Sequence, residues 1–135
     1  MKQYSVNCNC KSITVNISLP NTIESYQPRA CDCDFCQSHN LSYLSDKDGT
    51  LSISPTAKLN TLKQGSQQAS FLQCANCLQV VAVTYYSAEL QKGAVSSELF
   101  STSHALPEAI AVSPKRLSES EKVQRWSTMW LTIVA

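Results

Sequence analysis

Charge of either sign is scarce in this chain. Only 16% of its 135 residues are Asp, Glu, Lys or Arg, and 11 basic against 10 acidic side chains leave a formal net charge of +1. That balance offers no basic stripe to neutralise phosphates, so nucleic acid and anionic membrane surfaces are not expected partners. Long apolar runs are missing as well. No stretch approaches the roughly 20 residues that a bilayer-crossing helix requires. Near the N-terminus, polar Asn7 and Asn9 stand where a secretory leader has its apolar segment. The expectation is a cytoplasmic protein, in a reducing compartment where thiols persist and disulfides are rare. Internal repeats, low-complexity tracts and linkers are also absent. With 43% hydrophobic residues the chain can build a core, and one domain over residues 1–135 is expected.

No cysteine lies outside three short clusters. The seven read Cys8-Asn9-Cys10, Cys31-Asp32-Cys33-Asp34-Phe35-Cys36 and Cys74-Ala75-Asn76-Cys77. Sulfurs one or two residues apart are poor disulfide partners but good shared ligands, because a local turn can aim both at an ion about 2.3 Å away. An odd number also argues against a complete disulfide framework. Seven divides into four plus three: a closed zinc site takes four protein ligands, and a reactive one takes three and keeps a position open. Seven thiolates around two Zn²⁺ would leave the loaded protein mildly acidic.

Alternation dominates the rest of the pattern. Ile13-Thr14-Val15-Asn16-Ile17-Ser18-Leu19 reads as a half-buried strand with Ile13, Val15, Ile17 and Leu19 inward, stopped by Pro20-Asn21. Leu51-Ser52-Ile53 repeats the pattern after a hairpin-type turn at Asp48-Gly49. Strands over 67–73 and 80–86 flank the last cysteine pair and place it in a hairpin turn; the second is rich in β-branched and aromatic residues. A further strand is expected over 94–100. One helical turn fits 34–40. In the tail, Ser118 and Glu121 fit a capping box, and Val123, Trp126 and Trp130 recur at helical spacing. A helical tail over about 115–130 is therefore expected, with its tryptophans docked on the sheet as core anchors. The fold class is mainly β with a C-terminal helix.

Cys8 and Cys10, read as i and i+2 on a strand, point to one face and can reach one ion. Cys74 and Cys77 can complete it, which would staple an N-terminal strand to a late hairpin and make metal binding part of the folding energy. Cys31, Cys33 and Cys36 come from one tight segment and can cap one side of a second ion. Three thiolates make that zinc softer than an imidazole-bound one, favouring an incoming thiol. An alternative is a structural zinc completed by His39, Asp32 or Asp34. His39 itself can be a ligand, a proton shuttle or a solvated residue. His104 is given no role. Ferredoxin-type cysteine runs are absent.

The ordered set of seven cysteines, with Phe71 before the last pair, resembles the glutathione-dependent formaldehyde-activating enzyme family over about residues 6–86. The tail from Ser113-Pro114-Lys115-Arg116-Leu117 to Arg125-Trp126 and Trp130 is similar to that family too. The resemblance implies a β-tent of small antiparallel sheets with two zinc ions per chain. It implies a structural zinc on Cys8, Cys10, Cys74 and Cys77, and an open, active zinc on Cys31, Cys33 and Cys36. The implied activity is carbon–sulfur lyase-type chemistry on thiol–aldehyde adducts such as S-hydroxymethylglutathione, with a small-molecule thiol and an aldehyde as partners. The alternative is a non-catalytic zinc-binding module for a protein or small-thiol partner, a class in which related folds serve. Three positions differ from the family pattern. Lys11 and Leu78 stand where glycine is common, so strain or a different turn is expected there. Gln37-Ser38 stands where a basic residue often follows the middle triplet.

Overall fold

The computed structural model describes residues 1–31, 34–38, 40–63, 68–101, 103–113 and 116–134. Of the residues singled out above, Asp32, Cys33, His39, Gln67, Pro114 and Lys115 lie outside these, as do the side chains of Asp34 and Phe35.

Among the described residues the chain is mainly β. Its strands are β1 (Lys2–Asn7), β2 (Thr14–Leu19), β3 (Arg29–Cys31), β4 (Tyr43–Leu44), β5 (Thr50–Ser54), β6 (Leu59–Lys63), β7 (Ser70–Cys74), β8 (Val80–Tyr86), β9 (Gln91–Ser96), β10 (Ile110–Val112) and β11 (Leu131–Ile133). Two helices join them, α1 (Asp34–Ser38) and α2 (Glu119–Met129). The strands form one connected sheet in the order β1-β2-β5-β11-β9-β4-β3-β10, with β6-β7-β8 branching off β9. β9 makes this branching possible: one edge pairs with β8, and the other is shared between β11 at Lys92–Gly93 and β4 at Val95–Ser96.

The sheet is mixed, which corrects the expectation of antiparallel pairing throughout. β10 runs parallel to β3, and β11 runs parallel to β5. β11 itself has no counterpart in the sequence reading. It inserts between β5 and β9, with Leu131 fully buried. The strand expected over 94–100 is also displaced. β9 starts at Gln91 and gives way to a 3-10 turn over Ser97–Phe100. At Asp46–Gly49 a turn does form, closed by Gly49 N–H to Asp46 O at 3.0 Å. It is no hairpin, because β4 pairs with β3 and β9 while β5 pairs with β2 and β11. Glycine is needed at 49: a Cβ there would sit 2.5 Å from Ser18 O and 2.6 Å from Leu131 Cδ2.

Alternation in β2 buries Val15, Ile17 and Leu19 on one face, with Ile13 just ahead, as its period of two requires. These residues join Leu44, Leu51, Val81, Val95, Phe100 and Leu131 in the larger core, which also takes in Cys8 and Cys74. A second, smaller core holds Cys36, Leu41, Phe71, Val80, Val83 and Ala94, with Cys31, Tyr43 and Trp130 packed against it. β8 contributes to both and is buried from Val80 to Thr84. α2 opens with the expected capping box, Ser118 Oγ accepting from Glu121 N–H and Glu121 Oε1 accepting from Ser118 N–H. Its tryptophans dock as expected: Trp126 lies 5.1 Å from Tyr85 of β8 and stacks on Trp130 at 5.0 Å.

Candidate metal centre

Two turns build the four-cysteine cluster. Cys8 to Ile13 joins β1 to β2, and Cys74 to Gln79 joins β7 to β8. Cys8 and Cys10 thus sit in a turn, not on a strand as the i, i+2 argument assumed; curvature of the backbone, not strand pleating, brings their sulfurs together. The two turns share a hydrogen-bond plan. Cys8 N–H donates to Ile13 O at 3.1 Å, and Cys74 N–H donates to Gln79 O at 2.9 Å, each reaching five residues ahead. Lys11 N–H donates back to Cys8 O, and Leu78 N–H back to Cys74 O, both at 2.9 Å. Each turn also sends a backbone N–H to its first sulfur: Ile13 to Cys8 Sγ at 3.3 Å, and Cys77 to Cys74 Sγ at 3.5 Å.

Both turns place a non-glycine residue at positive φ, Lys11 at 65° and Leu78 at 64°. These are the two positions where glycine was missing. The backbone keeps the left-handed conformation and bears the strain, of order 1–2 kcal/mol per residue.

The four ligand sulfurs lie within 4.8 Å of one another. Cys8 Sγ and Cys74 Sγ are each 3.6 Å from Cys10 Sγ. A tetrahedral ion with about 2.3 Å bonds to sulfur needs sulfur–sulfur edges of about 3.8 Å. A disulfide would bring a pair to about 2.05 Å, and none of the described cysteines is so bonded. The donor set is all sulfur, softer than an oxygen site and suited to zinc. Four cysteines are therefore close enough, and of the right chemistry, to hold one metal ion.

Neighbouring groups tune the sulfurs unequally. Burial pushes the Cys8 thiol up to about 11, against the pull of the Ile13 backbone N–H. The Ser12 hydroxyl, 3.2 Å from Cys10 Sγ, brings Cys10 down to about 5, helped by Asn76. The Cys77 backbone N–H lowers Cys74. Gln79 locks the turns together, its buried Oε1 accepting from Asn9 N–H at 2.7 Å. Gln79 and Asn76 escaped sequence reasoning, because nothing in their spacing announces a hydrogen bond across about 65 to 70 residues, and Ser12, two residues from Cys10, is one of many serines with no pattern to mark it.

Cys31 and Cys36 lie apart from this cluster. They belong to the smaller core, Cys31 partly buried at the end of β3 and Cys36 only 1% exposed in α1. Cys36 Sγ lies 3.7 Å from the hydroxyl of Tyr43. Gln37 and Ser38 are exposed beyond it. Tyr43 stands directly opposite Arg29 on β3 and Ser96 on β9. Ser96 Oγ is wholly buried and has no hydrogen-bond partner among the described residues. Arg29 is partly buried; desolvation, with the nearby Arg125 charge, pulls it below the ordinary guanidinium range. His104, given no role above, pairs with Glu24 at 2.7 Å and meets Tyr4 edge to face at 5.5 Å, a packing role beside the larger core.

No family model matches the chain, and no curated protein matches it. A solved structure does resemble it. That structure, of a Rhodobacter sphaeroides protein, aligns over 78% of this chain and 99% of its own with a TM-score of 0.55 and 17% identity. At that identity the likeness is one of fold alone.

Proposed function

We propose that this chain is a zinc-dependent, carbon–sulfur lyase-type enzyme acting on thiol–aldehyde adducts such as S-hydroxymethylglutathione, built on a β-tent of the formaldehyde-activating kind. The observation that carries the reading is the separation of the cysteines. Four converge in the larger core, while Cys31 and Cys36 sit in another, beside Tyr43. In this reading Cys8, Cys10, Cys74 and Cys77 hold a structural zinc, and Cys31, Cys33 and Cys36 hold the second, with His39 nearby in the chain.

A zinc ion with three thiolate ligands and one open position would supply Lewis acidity toward a substrate thiol. The remaining work belongs to the chain. The Tyr43 hydroxyl is placed to donate to Cys36 Sγ, orienting that sulfur and drawing charge from it. Phe71 and Trp130 pack in the same core and limit water around the sulfurs. In the condensation, a carbon–sulfur bond forms as the carbonyl π bond breaks, and the thiol proton ends on the former carbonyl oxygen.

The second reading, a non-catalytic zinc-binding module for a protein or small-thiol partner, draws on the completeness of the four-cysteine cluster, which needs no other residue to be useful. Exchange spectroscopy by NMR separates the two. Formaldehyde–glutathione exchange should accelerate in proportion to added zinc-loaded protein. No acceleration with glutathione or any other thiol in a panel would leave the binding module.

A further inference from the structure

Among the described strands, β1, β6 and β10 pair on one side only. An open edge offers unpaired N–H and C=O groups to any other strand, so proteins shorten such strands, charge them or break them with proline. β10 is three residues long, in a stretch between Pro107 and Pro114. β6 follows Lys58 and ends on Lys63. β1 has no such guard beyond Lys2 at its start. It holds six residues without proline, and its register with β2 runs from Lys2 opposite Leu19 to Asn7 opposite Thr14 without a bulge. Among the described residues, no backbone hydrogen bond joins Lys2–Asn7 to any element but β2, and Lys2, Gln3, Ser5 and Asn7 are exposed.

The two faces of β1 differ. Gln3, Ser5 and Asn7 lie on the outer face, and Tyr4 and Val6 pack against the larger core. In an antiparallel pair, directly opposed side chains share a face, so a strand added to this edge must match both faces in turn. β1 itself meets that demand. Turned about a twofold axis at Ser5, it opposes Ser5 to Ser5, Gln3 to Asn7 and Tyr4 to Val6, and leaves Lys2 outside the paired stretch. Polar then meets polar, and apolar meets apolar. An axis between Tyr4 and Ser5 would oppose outer Gln3 to inner Val6, and an axis at Tyr4 would set Lys2 against Val6.

Charge allows the same closure. A shallow cavity of about 460 Å³ lies on the outer face beside this edge, and its lining residues, Gln3, Ser5, Asn16, Ser18, Thr50 and Ser52 among them, are uncharged. Asn7 of a second copy would stand next to Gln3 at the rim of that cavity. A formal net charge of +1 leaves little repulsion between two copies.

We propose that β1 is a dimerisation edge, paired antiparallel with β1 of a second copy of this chain about a twofold axis through Ser5. The interface is isologous and closes at two copies, so it consumes the open edge without starting a filament. The contact spans only Gln3–Asn7 on each copy, smaller than a permanent interface, and the dimer is therefore reversible. The inference is independent of the thiol chemistry proposed above.

The test is sedimentation velocity of the zinc-loaded full chain from low-micromolar to near-millimolar concentration. The parent protein should pass from monomer to dimer. Ser5→Lys sets two cations against each other across the axis and should raise the dissociation constant by about tenfold or more, and Ser5→Glu should do the same. An equimolar mixture of the two variants should associate more tightly than either alone, because residue 5 faces residue 5 across this axis. Ser5 is exposed, so both variants should melt with the parent. Asn60→Lys, on the β6 edge, should leave association unchanged. The parent's concentration series carries the test if a Ser5 variant melts early. A monomer throughout that range, unchanged association in Ser5→Lys, weakened association in Asn60→Lys, or a mixture no tighter than the single variants overturns the proposal.

Discussion

Leu78 shows how one residue can be legible in the sequence while its consequence is not. The missing glycine after the last cysteine pair marked a position of expected strain, and φ there is 64°. Strain or a different turn were both open, and the hydrogen bond from Leu78 N–H to Cys74 O holds the turn in place, so the strain stays. Leu78 is 58% exposed and gives up little packing on truncation. Relief of about 1–2 kcal/mol of left-handed strain outweighs a flexibility cost of roughly 0.5–1 kcal/mol for glycine. Leu78→Gly should therefore stabilise the chain by up to about 1 kcal/mol, read as a higher midpoint in urea. A lower midpoint would mean that the leucine side chain contributes more than its exposure suggests. At Glu24 the hydrogen bond from His104 holds the carboxyl below its ordinary value. Its contribution is present above the unfolded-state carboxyl pKa and is lost as pH falls through the depressed folded value. In His104→Ala the Glu24 midpoint, followed by carboxyl NMR shifts, should rise toward the ordinary range while the backbone hydrogen bond keeps part of the lowering, and the stability gap between the two proteins should narrow in acid.

Elements with strong periodicity were read well. β2 and β8 gave themselves away by alternation and by β-branched composition, and α2 by its capping box and tryptophan spacing. Elements defined by their neighbours were not. β11 is three residues long, too short for periodicity to register, and it exists because a slot between β5 and β9 takes it in. β3, β4 and β10 are similarly short, and the parallel pairing of β3 with β10 joins segments about 80 residues apart. The Arg29–Tyr43–Ser96 row depends on those pairings, so no sequence pattern could reveal it. This contrast sets a ranking for mutations. Leu131→Ala empties a fully buried position in β11 and should cost about 2–5 kcal/mol. Ser118→Ala removes one cap of α2 and should cost about 1 kcal/mol. Chemical denaturation of the two variants checks the order, and a reversed order would make β11 a dispensable edge.

At the scale of the whole molecule, the four-cysteine cluster joins two places that the sheet connects only by a long route. β1 begins the main path, and the β7–β8 turn belongs to the branch off β9. A metal there would tie the start of the main path to the branch, whereas Cys31 and Cys36 come from one short segment, β3 to α1, in the smaller core. Cys74→Ser should therefore lower the metal content and cause unfolding or aggregation, with apparent metal contributions of order 10 kcal/mol in small zinc modules. Cys36→Ser should remove one zinc of an expected two and leave the circular dichroism spectrum intact. Elemental analysis together with melting curves reads both. One zinc in the parent protein, or equal damage from both changes, would contradict this division.

The distance along the chain between the two halves of that cluster has a consequence for biosynthesis. Cys10 and Cys74 are 64 residues apart, so at roughly 5–20 residues per second a ribosome needs about 3–13 s to make the second half after the first. Throughout that interval the nascent polypeptide carries only Cys8 and Cys10 of the four-cysteine cluster. The four sulfurs can come together only once synthesis reaches Cys77, so a metal held by all four would arrive late in the life of the nascent chain.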